Sequence, residues 1–203
     1  MRGLRQEPRW WLLRSVRVSS AEYLALPLRA HELLRDFLLY DVSAVDLPGG
    51  GTGRSIADIR KLESSAPPSR TATLIYGLRH VLGRMFGWDR AIRPDETLLP
   101  HLSEQDRRDS EVVPGTREAA FVVLYRFPCE TLLETRNATV HGFMCHALAS
   151  RSVGYRLYWG VYVRRVSWLT RPYLMAIEPF RRVLYPAMLR RIRRAWIAAY
   201  AHR

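Results

Sequence analysis

The sequence predicts an α+β fold in which an antiparallel sheet packs on a long C-terminal helix, with one or two helices in the N-terminal half. Three observations predict it. β-forming segments succeed one another from Phe121 to Val166 with short turns between them. That is the pattern of an antiparallel sheet, not of alternating strands and helices. The last segment, Gly154–Val166, alternates strongly. An arginine-rich amphipathic run from about Arg171 to about Tyr200 then closes the chain.

The length of 203 residues fits one domain over residues 1–203. Within it, residues 1–14 read as an N-terminal arm, 15–118 as strands, helices and loops, and 119–203 as the sheet and terminal helix. Apolar residues at 48% and charged residues at 25% describe an ordinary globular chain. Two cysteines, Cys129 and Cys145, make no disulfide framework. Trp10-Trp-Leu-Leu13 is too short for a secretory core, and no run approaches the roughly 20 apolar residues of a membrane span. A cytoplasmic location with reduced thiols is expected.

The net charge is +13, and its placement is uneven. Residues 1–150 carry 20 Lys and Arg against 18 Asp and Glu. Residues 151–203 carry 12 Arg against the single acid Glu178. Such a segment suits an anionic membrane surface or an acidic protein. It also suits a solvated helix face in an arginine-rich proteome, since Lys61 is the only lysine.

In chain order, Ser15–Ser19 and Glu22–Leu26 read as short strands, and Leu28–Tyr40 as a helix after Pro27. Leu33, Leu34, Phe37 and Leu38 give that helix its spacing. Leu47-Pro-Gly-Gly-Gly-Thr-Gly53 is a loop. It lacks the Lys that lets a P-loop reach terminal phosphates and the strand–turn–helix setting of a dinucleotide site. Ser64–Ser69 is a second loop. Thr71–Trp88 reads as a helix with Leu74, Leu78, Val81, Leu82, Met85 and Phe86 on one stripe. Asp89–Gly115 is a long loop with a helical turn near Ser103–Asp106. Strands follow at Phe121–Phe127, Thr131–Thr135 and Thr139–Ala149, and the chain turns at Ser150–Gly154.

Side chains two apart share a strand face. Tyr155, Leu157, Trp159, Val161 and Val163 should therefore pack inward together. Arg156, Tyr158, Gly160, Tyr162 and Arg164 form a mixed face suited to solvent or a polar rim. The terminal helix starts at Thr170 as cap, with Pro172 tolerated in its first turn. Pro179 and Pro186 should kink it or split it into two helices. Leu184, Met188, Ile192, Ala195 and Trp196 form its apolar stripe. Arg182, Arg190, Arg191, Arg193 and Arg194 lie largely opposite, as the candidate anionic-partner face.

Strands in the second half followed by a long terminal helix resemble the helix-grip architecture of the START and polyketide-cyclase-like (SRPBCC) superfamily. More closely, Glu134-Thr-Arg-Asn-Ala-Thr-Val-His141, Tyr158-Trp159 and Glu178-Pro-Phe-Arg181 with Leu184-Tyr-Pro186 resemble a bacterial family of unknown function. The resemblance covers roughly residues 115–200. It implies a curved antiparallel sheet gripping the terminal helix around an apolar cavity, and it brings no established activity.

A cavity of that kind would draw ligand contacts from Asn137, Thr139, His141, Tyr155, Leu157, Trp159, Val161, Leu184 and Met188. His141 is the favoured proton carrier, and Glu130 and Glu134 are alternative bases. His141, Cys145 and His146 imitate a metal cluster, but on a strand His146 points away from the other two and no second cluster completes four ligands. No metal or cofactor is expected. The favoured reading is a binding protein for a hydrophobic or amphipathic small molecule. A cyclase or dehydratase using the same cavity is one alternative. An interaction protein whose helix binds an anionic partner is another, nucleic acid being disfavoured for want of a binding motif.

Overall fold

A computed structural model describes residues 18–65, 97–136 and 139–200. The expected Thr71–Trp88 helix, most of the Ser15–Ser19 strand and Asn137 lie outside the described residues. Among the described residues, six strands form one open antiparallel sheet: β1 Leu38–Leu47, β2 Arg117–Glu118, β3 Phe121–Arg126, β4 Glu130–Arg136, β5 Val140–Arg151 and β6 Gly154–Arg165. Their order is β1-β6-β5-β4-β3-β2. The α+β class, the antiparallel sheet and the long terminal helix are as the sequence predicts. The arrangement is helix-grip-like.

The N-terminal elements differ from expectation. Glu22–Leu26 is not a strand: helix α1 spans Ser20–Leu24, with Ser19 accepting from the Ala21 backbone N–H at 3.2 Å. The helix expected over Leu28–Tyr40 ends early, as α2 Arg29–Leu33, and Leu38 opens β1. β1 pairs with β6 from Leu38 opposite Val163 to Leu47 opposite Tyr155. That long-range ladder overrides the helical spacing of Phe37 and Leu38. Helix α3, Ile56–Ser65, extends into the expected Ser64–Ser69 loop. Helix α4, Glu104–Asp109, is the expected turn, closed by a capping box between Ser103 and Asp106.

Helix α5 runs unbroken over Thr170–Tyr200 through both Pro179 and Pro186, so the split into two helices does not occur. Thr170 Oγ1 fixes its start by donating to the Thr139 carbonyl at 2.6 Å and accepting from the Val166 and Ser167 N–H groups. Trp196 fixes its end. Its indole donates to the Pro48 carbonyl at 3.1 Å, under the glycine loop. Gly50 there has φ +97°, and a Cβ would lie 2.6 Å from Trp196 Cζ2, so only glycine fits.

Both faces of the sheet are covered by packed apolar layers. On one, Val45, Leu47, Leu157 and Trp159 pack against Ile56 and Ile59 of α3 and Leu189, Ile192 and Trp196 of α5. On the other, Val42, Ala44, Tyr158 and Tyr162 pack against Tyr23, Leu28, Ala30 and Leu34 from the α1–α2 segment. Tyr158, Gly160 and Tyr162 therefore do not meet solvent, contrary to expectation. Arg164 does stay exposed. Gly160 explains how the second layer comes so close: a Cβ there would lie 2.5 Å from Tyr23 Cζ.

Candidate functional site

Between the α5 face of the sheet and the first five turns of α5 lies a cavity of about 550 Å³. Its floor is built from alternate residues of neighbouring strands, chiefly Gly142, Met144 and His146 of β5 with Trp159 and Val161 of β6. Its roof is Leu174, Ile177, Phe180, Leu184 and Met188 of α5. The helical spacing of these five places them on one side of α5. Gly142 contributes open floor. A Cβ added there would meet Thr135 Cγ2 at 3.6 Å, an ordinary contact.

Charged groups at the wall are tied to one another. Arg60 reaches Glu63 at 2.6 Å and also Glu118, which holds Arg126 at 2.8 Å. Burial pushes the Glu63 carboxyl above its usual range despite Arg60. Arg181 pairs with Asp41 at 3.1 Å and Glu178 at 3.5 Å, and its guanidinium stacks on Tyr40 and Tyr185. This arginine is buried within the α5 packing, away from the solvent face.

His146 has a different environment. Its ring stacks on Trp159 with centroids 4.8 Å apart and planes 16° from parallel. Register places the two residues directly opposite each other on β5 and β6. Neither His146 nitrogen nor Trp159 Nε1 has a hydrogen-bond partner among the described residues. Burial, then the Arg60 and Arg126 charges, pushes the imidazole pKa down to about 3. The ring is neutral at physiological pH.

Residues 33–188 match a family model described as "Protein of unknown function (DUF2867)". The chain belongs to that family. No curated protein and no solved structure matches the chain. The DUF2867 match covers the whole cavity roof down to Met188 and every strand that forms its floor.

Of the residues expected to meet a ligand in this DUF2867 chain, Trp159, Val161, Leu184 and Met188 line the cavity. Tyr155 and Leu157 share the face but are spent in packing: Tyr155 donates to the Gly51 carbonyl at 3.0 Å and packs edge-on to Trp196. Thr139 is buried where its carbonyl receives Thr170. His141, the favoured proton carrier, is on the opposite face of the sheet. It pairs with Arg164 across β6, one register step out of phase with the cavity floor. There His141 Nε2 meets Glu134 Oε1 at 2.7 Å, and both side chains are buried. Glu134 also accepts from the Leu98 N–H and from Thr97 Oγ1. Glu130 faces the same side, where its carboxylate accepts from the Arg29 N–H at 2.7 Å. Neither glutamate reaches the cavity.

The arginine face is also redistributed. Arg182 and Arg194 are exposed. Arg190 and Arg193 are half-buried, and Arg193 donates to the Asp46 carbonyl at 3.1 Å. Arg191 is half-buried and lines the cavity. Among the described residues, no helix is long and apolar enough to cross a membrane, and no cluster of three or more His, Cys, Asp or Glu is placed to hold a metal.

Proposed function

We propose that the protein binds a hydrophobic or amphipathic small molecule between its sheet and its terminal helix. The observation that carries this reading is the cavity of about 550 Å³ with Met144, Val161, Phe180 and Leu184 among its walls. That volume lies inside the roughly 300–1,000 Å³ range of small-molecule sites, which are mostly apolar with few polar groups. The resemblance to the START and polyketide-cyclase-like superfamily supports the same reading. The cyclase or dehydratase alternative loses the residue it rested on, because His141 belongs to the other face.

The neutral fluorophore N-phenylnaphthylamine tests the proposal. It should bind with enhanced emission and be displaced by an apolar extract of the producing cells. Native mass spectrometry of gently purified protein should find the displacing component attached. Gly142→Leu projects a side chain from the floor and should weaken dye binding about tenfold or more while leaving the urea midpoint unchanged or raised. Equal dye binding by wild type and Gly142→Leu would mean that the dye sits elsewhere and the cavity is not the site.

The reading as a partner of anionic surfaces has one observation in its favour. Arg182 and Arg194 stand exposed on the outer side of α5 with Met175 and Val183. Sedimentation with phosphatidylglycerol vesicles should then be strong at low salt and lost near about 0.5 M salt. Binding that ignores salt, or none at low salt, removes this reading.

A further inference from the structure

We infer that the cavity selects an uncharged ligand carrying one carbonyl or hydroxyl oxygen, held by His146 and Trp159. This inference rests on the cavity being a ligand site.

The first reason is the set of orphaned polar atoms. His146 Nδ1, His146 Nε2 and Trp159 Nε1 are all shielded from water and lack partners among the described residues. A neutral imidazole carries one N–H donor and one acceptor nitrogen, and an indole carries one donor. Buried groups of this kind are normally hydrogen-bonded, and leaving them unmade is costly. These three sit in two stacked rings on the floor of a chamber whose floor and roof are mostly apolar. The two imidazole nitrogens point away from each other, so one ligand oxygen meets one of them: a carbonyl can accept from an imidazole N–H and the indole N–H, and a hydroxyl can donate to the imidazole acceptor nitrogen while accepting from the indole. Because the rings shield the nitrogens, engagement requires the imidazole to turn or to slide against Trp159. The Trp159 indole, stacked on it, should register that movement in its fluorescence.

The second reason is charge. Arg60 is held by Glu63 and Glu118, and Arg181 by Asp41 and Glu178, with Arg181 Nε left without a partner among the described residues. Arg191 is engaged as well. A carboxylate or phosphate ligand would have to compete with these half-buried carboxylates for the guanidinium groups. His146 cannot supply a cation either, since burial and the Arg60 and Arg126 charges hold it neutral. A ligand with no polar atom would leave the three orphaned atoms as they are. An uncharged oxygen avoids that competition and satisfies the indole N–H and one imidazole nitrogen.

The test uses full-length protein and four probes of matched chain length: dodecane, dodecanol, methyl decyl ketone and dodecanoate. Each displaces N-phenylnaphthylamine at neutral pH, with tryptophan emission followed in parallel. The alcohol and ketone should bind about tenfold or more tightly than the hydrocarbon and the carboxylate. His146→Phe keeps an aromatic ring to stack on Trp159 and should erase that preference without weakening dodecane. His146→Gln restores one donor and one acceptor and should keep the preference. Equal affinity across all four probes, or tightest binding of dodecanoate, overturns the inference and leaves the cavity reading standing. A preference that survives in His146→Phe also overturns it. Failure of every probe, together with failure of the dye itself, overturns the cavity reading and the inference with it.

Discussion

A histidine held neutral by burial makes a fold weaker as the pH falls, and His146 sets how much. In the unfolded chain an imidazole titrates near about 6.5. In the fold, His146 does not take up a proton until about 3. Between those values the unfolded state binds one more proton than the native state, so stability falls with falling pH by about 1.4 kcal/mol per unit. From about pH 7 to about pH 5 the loss attributable to this residue is about 2 kcal/mol. His31 is also held below its usual value by burial and adds in the same direction. Glu130 and Glu63, raised by burial, act oppositely: the native state keeps their protons longer, so they favour the fold as pH falls toward the carboxylate range. The wild-type slope alone therefore does not isolate His146, and the difference from His146→Phe does. Urea unfolding at the two pH values measures it. Wild type should lose about 2 kcal/mol more than His146→Phe between them. Equal losses in the two proteins would mean that His146 is charged or hydrogen-bonded in the fold, and the reasoning about its neutrality would be refuted.

Two further outcomes follow from particular contacts. Gly160→Ala places a methyl group 2.5 Å from Tyr23 Cζ, and the displaced α1 layer should cost roughly 1–3 kcal/mol in urea unfolding. Combination with Tyr23→Ala, which removes the ring the methyl collides with, should make Gly160→Ala nearly silent, and additive effects would disprove the contact. Asp106→Ala removes the Ser103 capping box and both oxygens that hold Arg29 at 3.0 Å, and should cost about 1–3 kcal/mol. Burial raises the Asp106 pKa, but the hydrogen bonds from Arg29 and Ser103 outweigh it and hold the carboxyl below its usual range. The penalty should therefore be present at neutral pH and shrink as the wild-type carboxyl protonates in acid, which paired unfolding curves at the two extremes would reveal.

The second half of the chain was legible because its signals are local. β-forming residues marked β3 to β5, alternation marked β6, the breakers marked their turns, and Ser103–Asp106 marked the helical turn of α4. The first half was not, because its elements depend on distant partners. Leu33, Leu34, Phe37 and Leu38 carry helical spacing, yet Leu38 belongs to a strand whose ladder is supplied by β6 more than a hundred residues later. The second core was hidden for a related reason. Tyr158 and Tyr162, interleaved with Arg156 and Arg164, look like a solvated face until α1 and α2 cover them. One local clue did exist. Gly160 in the middle of a strong strand signals the close approach of another layer, here the Tyr23 ring.

The choice between the two histidines was also encoded, in the length of one turn. The β5–β6 hairpin turns through Ser152 and Val153 alone, and Arg151 lies opposite Gly154. Odd residues of β5 are thereby set beside even residues of β6. Trp159 consequently shares its face with Gly142, Met144 and His146, while His141 shares the face of Tyr162 and Phe143. A turn one residue longer would exchange the two sets, because strand side chains alternate with a period of two. The same alternation separates the fates of the two rings. His141 falls where Glu134 can satisfy one nitrogen and Phe37 and Phe143 pack against it, which makes it part of a sealed layer. His146 falls where its ring stacks on an indole and the space above is a mostly apolar chamber. The residue type is the same in both places. Only the second leaves its hydrogen-bonding capacity unspent beside a volume that a ligand can fill.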